Sequence, residues 1–496
     1  MVFHIRKVKT ASKSTAVQIV KYENRRRVVV KHIGSADNKE EIDLLINCAS
    51  EWIAEQTKQF DLFPKKEKSL PLEQIQYLGY QYTFLYEVFY KLQARLGYTC
   101  FGNKLLNDLV TIRIIEPTSK LRSLELLESY FGIKHRRGSL YENLSAFLKL
   151  KNKIEELTID FAMKEFGFDF AIIFYDVTTL YFETFKADDL RKTGFSKDNK
   201  PNQSQIVIGL VVNKDGFPVA YDVFPGNTFE GHTLIPVIKD IKKKNKIKNL
   251  IVVADAAMIS LENIEKLKSA KIDYIVGARL GNLKTDVVKS IDKQLPKTDS
   301  SNIRLKTDLG YLICDFSKKR FNKDKFEMEK QIKKAEDILL NKKKASRVKF
   351  IKTIGANNKL NTELIGKANI LLGIKGYYTN LDEKTISNQL VIERYHQLYK
   401  IEQAFRISKH DLRARPIFHF KQEAVKVHIL ICFMALAISK YIELKTQVSI
   451  KLFLDECRKI TDAKLLNKLN NQIIVLRVPI NNTVLQFLNR LNLLSH

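Results

Sequence analysis

The sequence predicts an α/β fold whose mixed sheet is laid down in the order β-β-β-α-β-α-β. It adds a mixed, β-rich insert, a mainly helical N-terminal region and a helical C-terminal tail. Three observations predict this. Apolar runs of strand length alternate with helix-period segments over residues 168–280; helical periodicity dominates 38–167; and about a hundred residues separate the last core strand from the next long helix.

Residues 1–37 alternate as strands, VFHIRKV, TAVQIVKY and RRRVVVKHIG, with Arg25, Arg26 and Arg27 at a hairpin turn. Region 38–167 carries helical periodicity over Glu41–Phe60, Leu72–Leu96, Lys104–Ile115 and Ser139–Leu150, and Pro117 closes one of these in RIIEPTSKL. It is basic and suits DNA-end recognition, although plain packing gives the same pattern.

Within 168–280 the first strand is AIIFYDVTTLYFE, rich in β-branched and aromatic residues without Gly or Pro. The strands SQIVIGLVV and FPVAYDVFPG follow, joined by NKDG, whose Asp-Gly step is a hairpin signal. A helix over His232–Lys244, a strand NLIVVAD, a helix over Leu261–Lys271 and a strand DYIVGARL complete the series. Three antiparallel strands followed by parallel α/β units is the order expected of a ribonuclease-H-like core. Residues 281–385 read as an insertion subdomain, 386–419 as one long core helix ending before Pro416, and 420–496 as an amphipathic helical region.

Charge bounds the partners. The 496 residues carry 84 Lys and Arg against 55 Asp and Glu, a net +29, which favours a polyanion through release of its condensed counterions. A lysine-rich composition inherited from an AT-rich genome accounts for part of that excess. The lysine runs Lys242–Lys248 and Lys342–Lys344 read first as solvated helix ends. Five scattered cysteines without a C-x-x-C pair exclude a zinc knuckle and a disulfide framework, and suit a reducing compartment. The apolar stretch Val427–Ile442 is short and interrupted by Lys440, so it reads as a buried core helix rather than a membrane span.

The chemistry rests on acids in costly places. Asp176 lies inside an apolar strand, where an ionised carboxylate needs a compensating cation or hydrogen bonds. Asp255 ends a second apolar run, LIVVADAAMIS. In the expected strand order the two strands are parallel neighbours, and the aspartates stand side by side. Two close carboxylates repel unless a cation lies between them, and Mg²⁺, a hard ion that prefers oxygen, is the natural one. Glu402 is the best third acid. On one continuous helix Tyr395, Tyr399, Glu402, Arg406 and Lys409 share a face, an acid among cations and phenols. Taken singly, Asp255 reads as a turn or cap residue and Glu402 with Arg406 as a solvated ion pair. Together with strand order and charge, the three acids favour a metal site beside phosphate.

These residues resemble the DDE-type insertion-sequence transposases of bacteria, in the branch with a Tyr-x2-Arg-x3-Glu-x6-Lys signature. The matching stretches are RIIEPTSKL, IIFYDVTTLYFE, VIGLVVNKDGFPVAYDVFPGNTFEGHT, VVADAAMIS and YHQLYKIEQAFRISKHDLRARPIFH, in that order. The resemblance implies that Asp176, Asp255 and Glu402 are the catalytic, metal-holding acids. Tyr395 and Lys409 take the signature's Tyr and Lys, binding substrate phosphate. Leu398 stands where the Arg is expected, and Arg406 is a candidate substitute; Ala256 follows the second Asp where relatives often carry a basic residue. It further implies two Mg²⁺ ions, with Mn²⁺ as a substitute, and double-stranded DNA partners, namely terminal inverted repeats and a target. The expected assembly is a homodimer in a synaptic complex, in the bacterial cytoplasm at the nucleoid, with no membrane. The expected reaction is hydrolysis at the element's ends followed by 3′-OH strand transfer. Two other readings fit the residues: a non-catalytic DNA-binding relative acting as repressor, and a ribonuclease-H-like nuclease that cuts without joining.

Overall fold

The computed structural model describes residues 2–11, 14–23, 26–57, 72–258, 260–340, 348–354 and 357–494. Arg25 and Lys342–Lys344 lie outside the described residues, as do residues 58–60 of the first expected helix. In chain order the strands are β1 (Phe3–Lys9), β2 (Thr15–Glu23), β3 (Arg26–Ala36), β4 (Ile75–Gln81), β5 (Ile172–Tyr181), β6 (Gln205–Val212), β7 (Pro218–Pro225), β8 (Ile251–Ala254), β9 (Asp273–Ala278), β10 (Asn302–Thr307), β11 (Gly310–Phe316), β12 (Ile351–Ile354), β13 (Asn357–Leu360), β14 (Ile374–Thr379), β15 (Asp462–Asn467) and β16 (Gln472–Arg477).

The chain divides into two compact units. One comprises Met1–Phe89, Glu125–Lys134 and Leu452–His496; the other comprises Tyr90–Leu124 and His135–Lys451. The helical region 38–167 is therefore shared between them rather than forming one body.

In the first unit β1, β2 and β3 form an antiparallel sheet. Its inner residues Val17, Ile19 and Ile33 pack on Leu45 and Ala49 of the helix Lys39–Thr57. A second sheet, in the order β16-β15-β4, draws residues 75–81 out of the expected helix over Leu72–Leu96. The segment IQYLGYQ has Ile and Tyr suited to a pleated surface, and pairing with β15 prevails over its weak helical period. Of that stretch Thr83–Arg95 is α-helical, and Leu72–Gln74 forms a single 3₁₀ turn. Likewise β15 and β16 lie in the tail expected to be helical.

The second unit is built on an eight-stranded sheet in the order β10-β11-β14-β9-β8-β5-β6-β7. Strands β5, β6 and β7 are antiparallel, and β8 and β9 continue parallel to β5. With the helices Gly231–Lys244 and Leu261–Ser269 as connections, this is the expected ribonuclease-H-like core. The NKDG turn closes the β6–β7 hairpin: Asn213 donates its backbone N–H to the Phe217 carbonyl, and Gly216 takes φ 80°. All eight residues of β6 are buried, because helices cover both faces. On one face Tyr175 donates to Thr233 of the 231–244 helix. On the other, Thr178 and Leu180 line one cavity with Phe405, Phe433 and Leu436.

Residues 281–385 depart from a self-contained insertion subdomain. β10, β11 and β14 pair antiparallel with one another and with β9, so they extend the core sheet. The remainder forms a small cluster in which Met328, Ala335, Phe350 and Leu372 pack around the helix Lys318–Leu340. The stretch Val427–Ile442 lies in the helix Gln422–Thr446, the one described helix long and apolar enough to cross a membrane; 94% of its apolar window is buried inside the protein.

Candidate active site

The register of the two parallel strands governs the site. Tyr175 pairs with Ala254, so the residues that follow, Asp176 and Asp255, come side by side where β8 ends. Alternation along β5 turns Tyr175 to one face and Asp176 to the other. Asp255 begins a short 3₁₀ turn, Ala256–Met258, and its side chain is exposed.

Burial pushes the Asp176 carboxyl up to about 6, and the nearby charges of Asp255 and Glu230 act in the same direction. Lys197 opposes them, with Nζ 3.8 Å from Asp176 Oδ1 and 3.0 Å from Glu230 Oε1. Val177 donates its backbone N–H to Asp176 Oδ1. Sequence reasoning missed Lys197. It lies in a polar loop, and only the loop's path across β5, where Lys197 donates its backbone N–H to Thr179 Oγ1 at 3.0 Å, brings it to the site. Glu230 was missed too, although it stands within the stretch FPGNTFEGHT.

Tyr395 and Glu402 arrive on two helices rather than one. The first runs from Asn388 to His396, capped by the Ser387 hydroxyl; the second runs from Tyr399 to Arg406, and a π-turn covers Ile407–Asp411. Between them the N–H groups of Leu398, Lys400 and Ile401 donate three residues back. This break, together with the π-turn, changes the phase expected for a continuous helix. Tyr395 is buried and donates its hydroxyl to Asp255 Oδ1 at 3.1 Å. Burial and the charges of Asp255, Asp176 and Glu402 raise its hydroxyl above the ordinary phenol range. All three acids thus act on one phenol. Glu402 itself is exposed, as are Tyr399 and Arg406, and the charge of Arg406 is felt by Lys440 of the 422–446 helix.

Leu398, at the position of the signature's Arg, is 7% exposed and packs as a core residue. A different cation stands nearby. Lys375 of β14 has Nζ 4.7 Å from the centre of the Tyr395 ring. Burial and the charge of Arg320 lower its ammonium, while Asp315, Asp255 and Glu402 raise it. It was invisible as a site residue because its strand joins the sheet only through pairing with β9 and β11.

Lys409 pairs with Asp198, donating to its Oδ1 at 3.1 Å. Arg415 reaches the same oxygen. Burial lowers the Lys409 ammonium, and Asp198 offsets part of that effect.

The acids suit a hard divalent cation in donor chemistry: they are carboxylates only, and Asp176 is largely desolvated with too little countercharge for its anion. Among the described residues no three His, Cys, Asp or Glu side chains are gathered closely enough to enclose one ion.

Comparisons with known proteins follow the same residues. The family model described as the transposase DDE domain matches residues 168–438, more than half of the chain. No curated protein matches. Among solved structures, the chain is similar to a piggyBac transposase synaptic complex with hairpin DNA. There the identity is 12% and the TM-score 0.37, over 85% of this chain and 77% of that one. It is also similar to the Mos1 transposase paired-end complex with left transposon end and to the Mos1 strand transfer complex. Each is 15% identical with a TM-score of 0.15, over 46% of this chain and 66% of the other. The chain therefore spans just under two thirds of the Mos1 chains.

Proposed function

The chain belongs to the transposase DDE domain family, and we propose that it acts as a cut-and-paste DNA transposase, hydrolysing the ends of an insertion sequence and joining the freed 3′-hydroxyls to target DNA. The observation that carries this reading is that Asp176 on β5 and Asp255 just past the end of β8 both follow directly on the last parallel register pair, Tyr175 with Ala254. With Glu402 they would hold the divalent ions, Mg²⁺ or Mn²⁺, of the reaction. When bound, such ions supply Lewis acidity to the attacking and leaving oxygens of an in-line displacement.

The chain's own groups then have distinct tasks. Tyr395 fixes one oxygen of Asp255 through its hydroxyl and leaves the other oxygen to a ligand. Lys375, above the Tyr395 ring, contributes positive potential where a scissile phosphate gathers negative charge. Lys409 and Arg406 are the candidates for more distant phosphate contacts, and the +29 charge draws DNA to the protein. A homodimer would hold two element ends together.

The test is strand cleavage on DNA carrying the inverted repeats that flank the reading frame. Asp176→Asn should abolish Mg²⁺-dependent nicking and leave DNA binding largely intact; a variant that nicks at the normal rate would refute the assignment. Cleavage without joining in a strand-transfer assay would point to a nuclease instead.

A further inference from the structure

Lys197 and Asp198 are consecutive residues of opposite charge, and each meets the groups of the site that bear the opposite sign. The Lys197 ammonium lies between Asp176 and Glu230, and it also donates to the Val177 carbonyl at 2.7 Å. Asp198 receives both Lys409 and Arg415 on its Oδ1. Its side chain is 8% exposed, and its Oδ2 is buried without a hydrogen-bond partner among the described residues. Two cations thus share one oxygen of one carboxylate, and a buried acceptor beside it is unused.

Arg415 is held in place by the chain around it. Ile417 donates its backbone N–H to the Tyr181 carbonyl, and Phe182 bridges to Ile417, which ties residues 415–417 to the end of β5. The Arg415 guanidinium lies 5.9 Å from the Tyr181 ring centre, and Lys200 Nζ lies 5.6 Å from the same ring. Asp198 therefore meets two cations, Lys409 and Arg415, and the second of them shares the Tyr181 ring with Lys200. A carboxylate that meets two cations through one oxygen and leaves its other, buried oxygen without a partner among the described residues has the character of an occupant that a richer anion can replace. A phosphodiester offers two non-bridging oxygens of full acceptor strength, suited to an arginine fork beside an ammonium.

We propose that Arg415 joins Lys409, already a candidate phosphate contact under the transposase reading, in one subsite for the DNA backbone, and that Asp198 fills this subsite in the DNA-free protein. Lys197 performs the matching task on the acidic side, covering Asp176 and Glu230 until a divalent ion arrives. The two side chains vacate together when substrate and ion enter, while the loop backbone stays tethered by the Lys197 N–H to Thr179. This inference rests on the transposase reading of the site.

The probe is a mixed-sequence DNA duplex titrated in Mg²⁺-free buffer at several salt concentrations. Asp198→Asn should bind it about five- to tenfold more tightly than the wild type, because the internal competitor is weakened. Arg415→Gln, with Asp198 retained, should lower the salt slope by about 1, as expected for one lost phosphate contact. Combining the two should erase the gain of Asp198→Asn. Separately, Lys197→Gln should tighten Mn²⁺ binding to the DNA-free protein several-fold, read by the EPR signal of free Mn²⁺. Asp198→Asn binding no better than wild type, or an unchanged salt slope for Arg415→Gln, overturns the proposal; the second result decides the matter even if Asp198→Asn fails to fold. A wild type that binds no duplex at all would instead overturn the transposase reading, so the two failures are distinguishable.

Discussion

The Tyr395 hydroxyl donates to Asp255 Oδ1 across 140 residues of sequence, and it joins the helix pair that carries Glu402 to the strand pair that carries both aspartates. A Cβ added at Gly277 would meet that same hydroxyl, so Gly277 is what lets the ring approach β9. Tyr395→Phe should retain the fold, losing about 1 kcal/mol of stability, and should raise the Mg²⁺ concentration needed for half-maximal cleavage several-fold. Gly277→Ala, which displaces the ring, should impair cleavage more severely than Tyr395→Phe. Equal metal titrations for Tyr395→Phe and wild type would show that the hydroxyl does not position Asp255.

Asp176 yields a pH prediction. Its folded carboxyl titrates near 6 against an ordinary 3.8, so between those values the native state binds more protons than the unfolded chain. Its contribution to stability therefore falls as pH rises from about 4 to about 6, and the full penalty for the ionised form is present above 6. In metal-free buffer, Asp176→Asn should stabilise the protein at pH 7 by up to about 3 kcal/mol, the equivalent of that shift, and the gain should vanish towards pH 4. Thermal unfolding scans across pH would check this; a gain that persists at pH 4 contradicts it.

The first unit contains a stability test far from the chemistry. Arg477 donates to both oxygens of Asp462, at 2.6 and 3.0 Å, and to both oxygens of Glu87, at 2.9 and 2.8 Å. Asp462 is 1% exposed. Arg477→Ala leaves its carboxylate buried without its arginine partner, and should cost about 3 kcal/mol by urea denaturation. Replacing both Arg477 and Asp462 with Leu should recover part of that loss. A double variant as unstable as the single one would mean that the pairing itself, rather than the stranded charge, sets the energy.

Binding of DNA by a chain of net charge +29 should weaken steeply with salt. Affinity should fall by at least about a hundredfold between 50 and 200 mM salt, the behaviour expected of several phosphate contacts. A nearly flat response would remove phosphate neutralisation from the account.

Much of the core was legible because its signals are local. The run from Ile172 to Tyr181, the NKDG turn and the amphipathic helix before NLIVVAD each announce themselves within a dozen residues. Strand order then follows from the rules of short, right-handed connections. Asp176 and Asp255 were legible for the same reason, since an acid inside or ending a buried strand conflicts with its surroundings. The strands β4, β15 and β16 were not legible: their partners are remote in sequence, and β4 has a period compatible with a helix. Nor was the break at Leu398, where a buried leucine and a short run of 3₁₀ bonding interrupt a pattern that reads as continuous.

Sequence alone determined the strand types and their order, the identity of the two strand aspartates and the strongly basic charge, since each depends on residue chemistry and near-neighbour periodicity. Tertiary structure decided the membership of β10, β11 and β14 in the core sheet, the arrival of Lys375 and Lys197 beside the acids, and the pairing of Lys409 with Asp198. These relationships arise from hydrogen-bond register and packing between segments far apart in the chain, and no local pattern of residues encodes them.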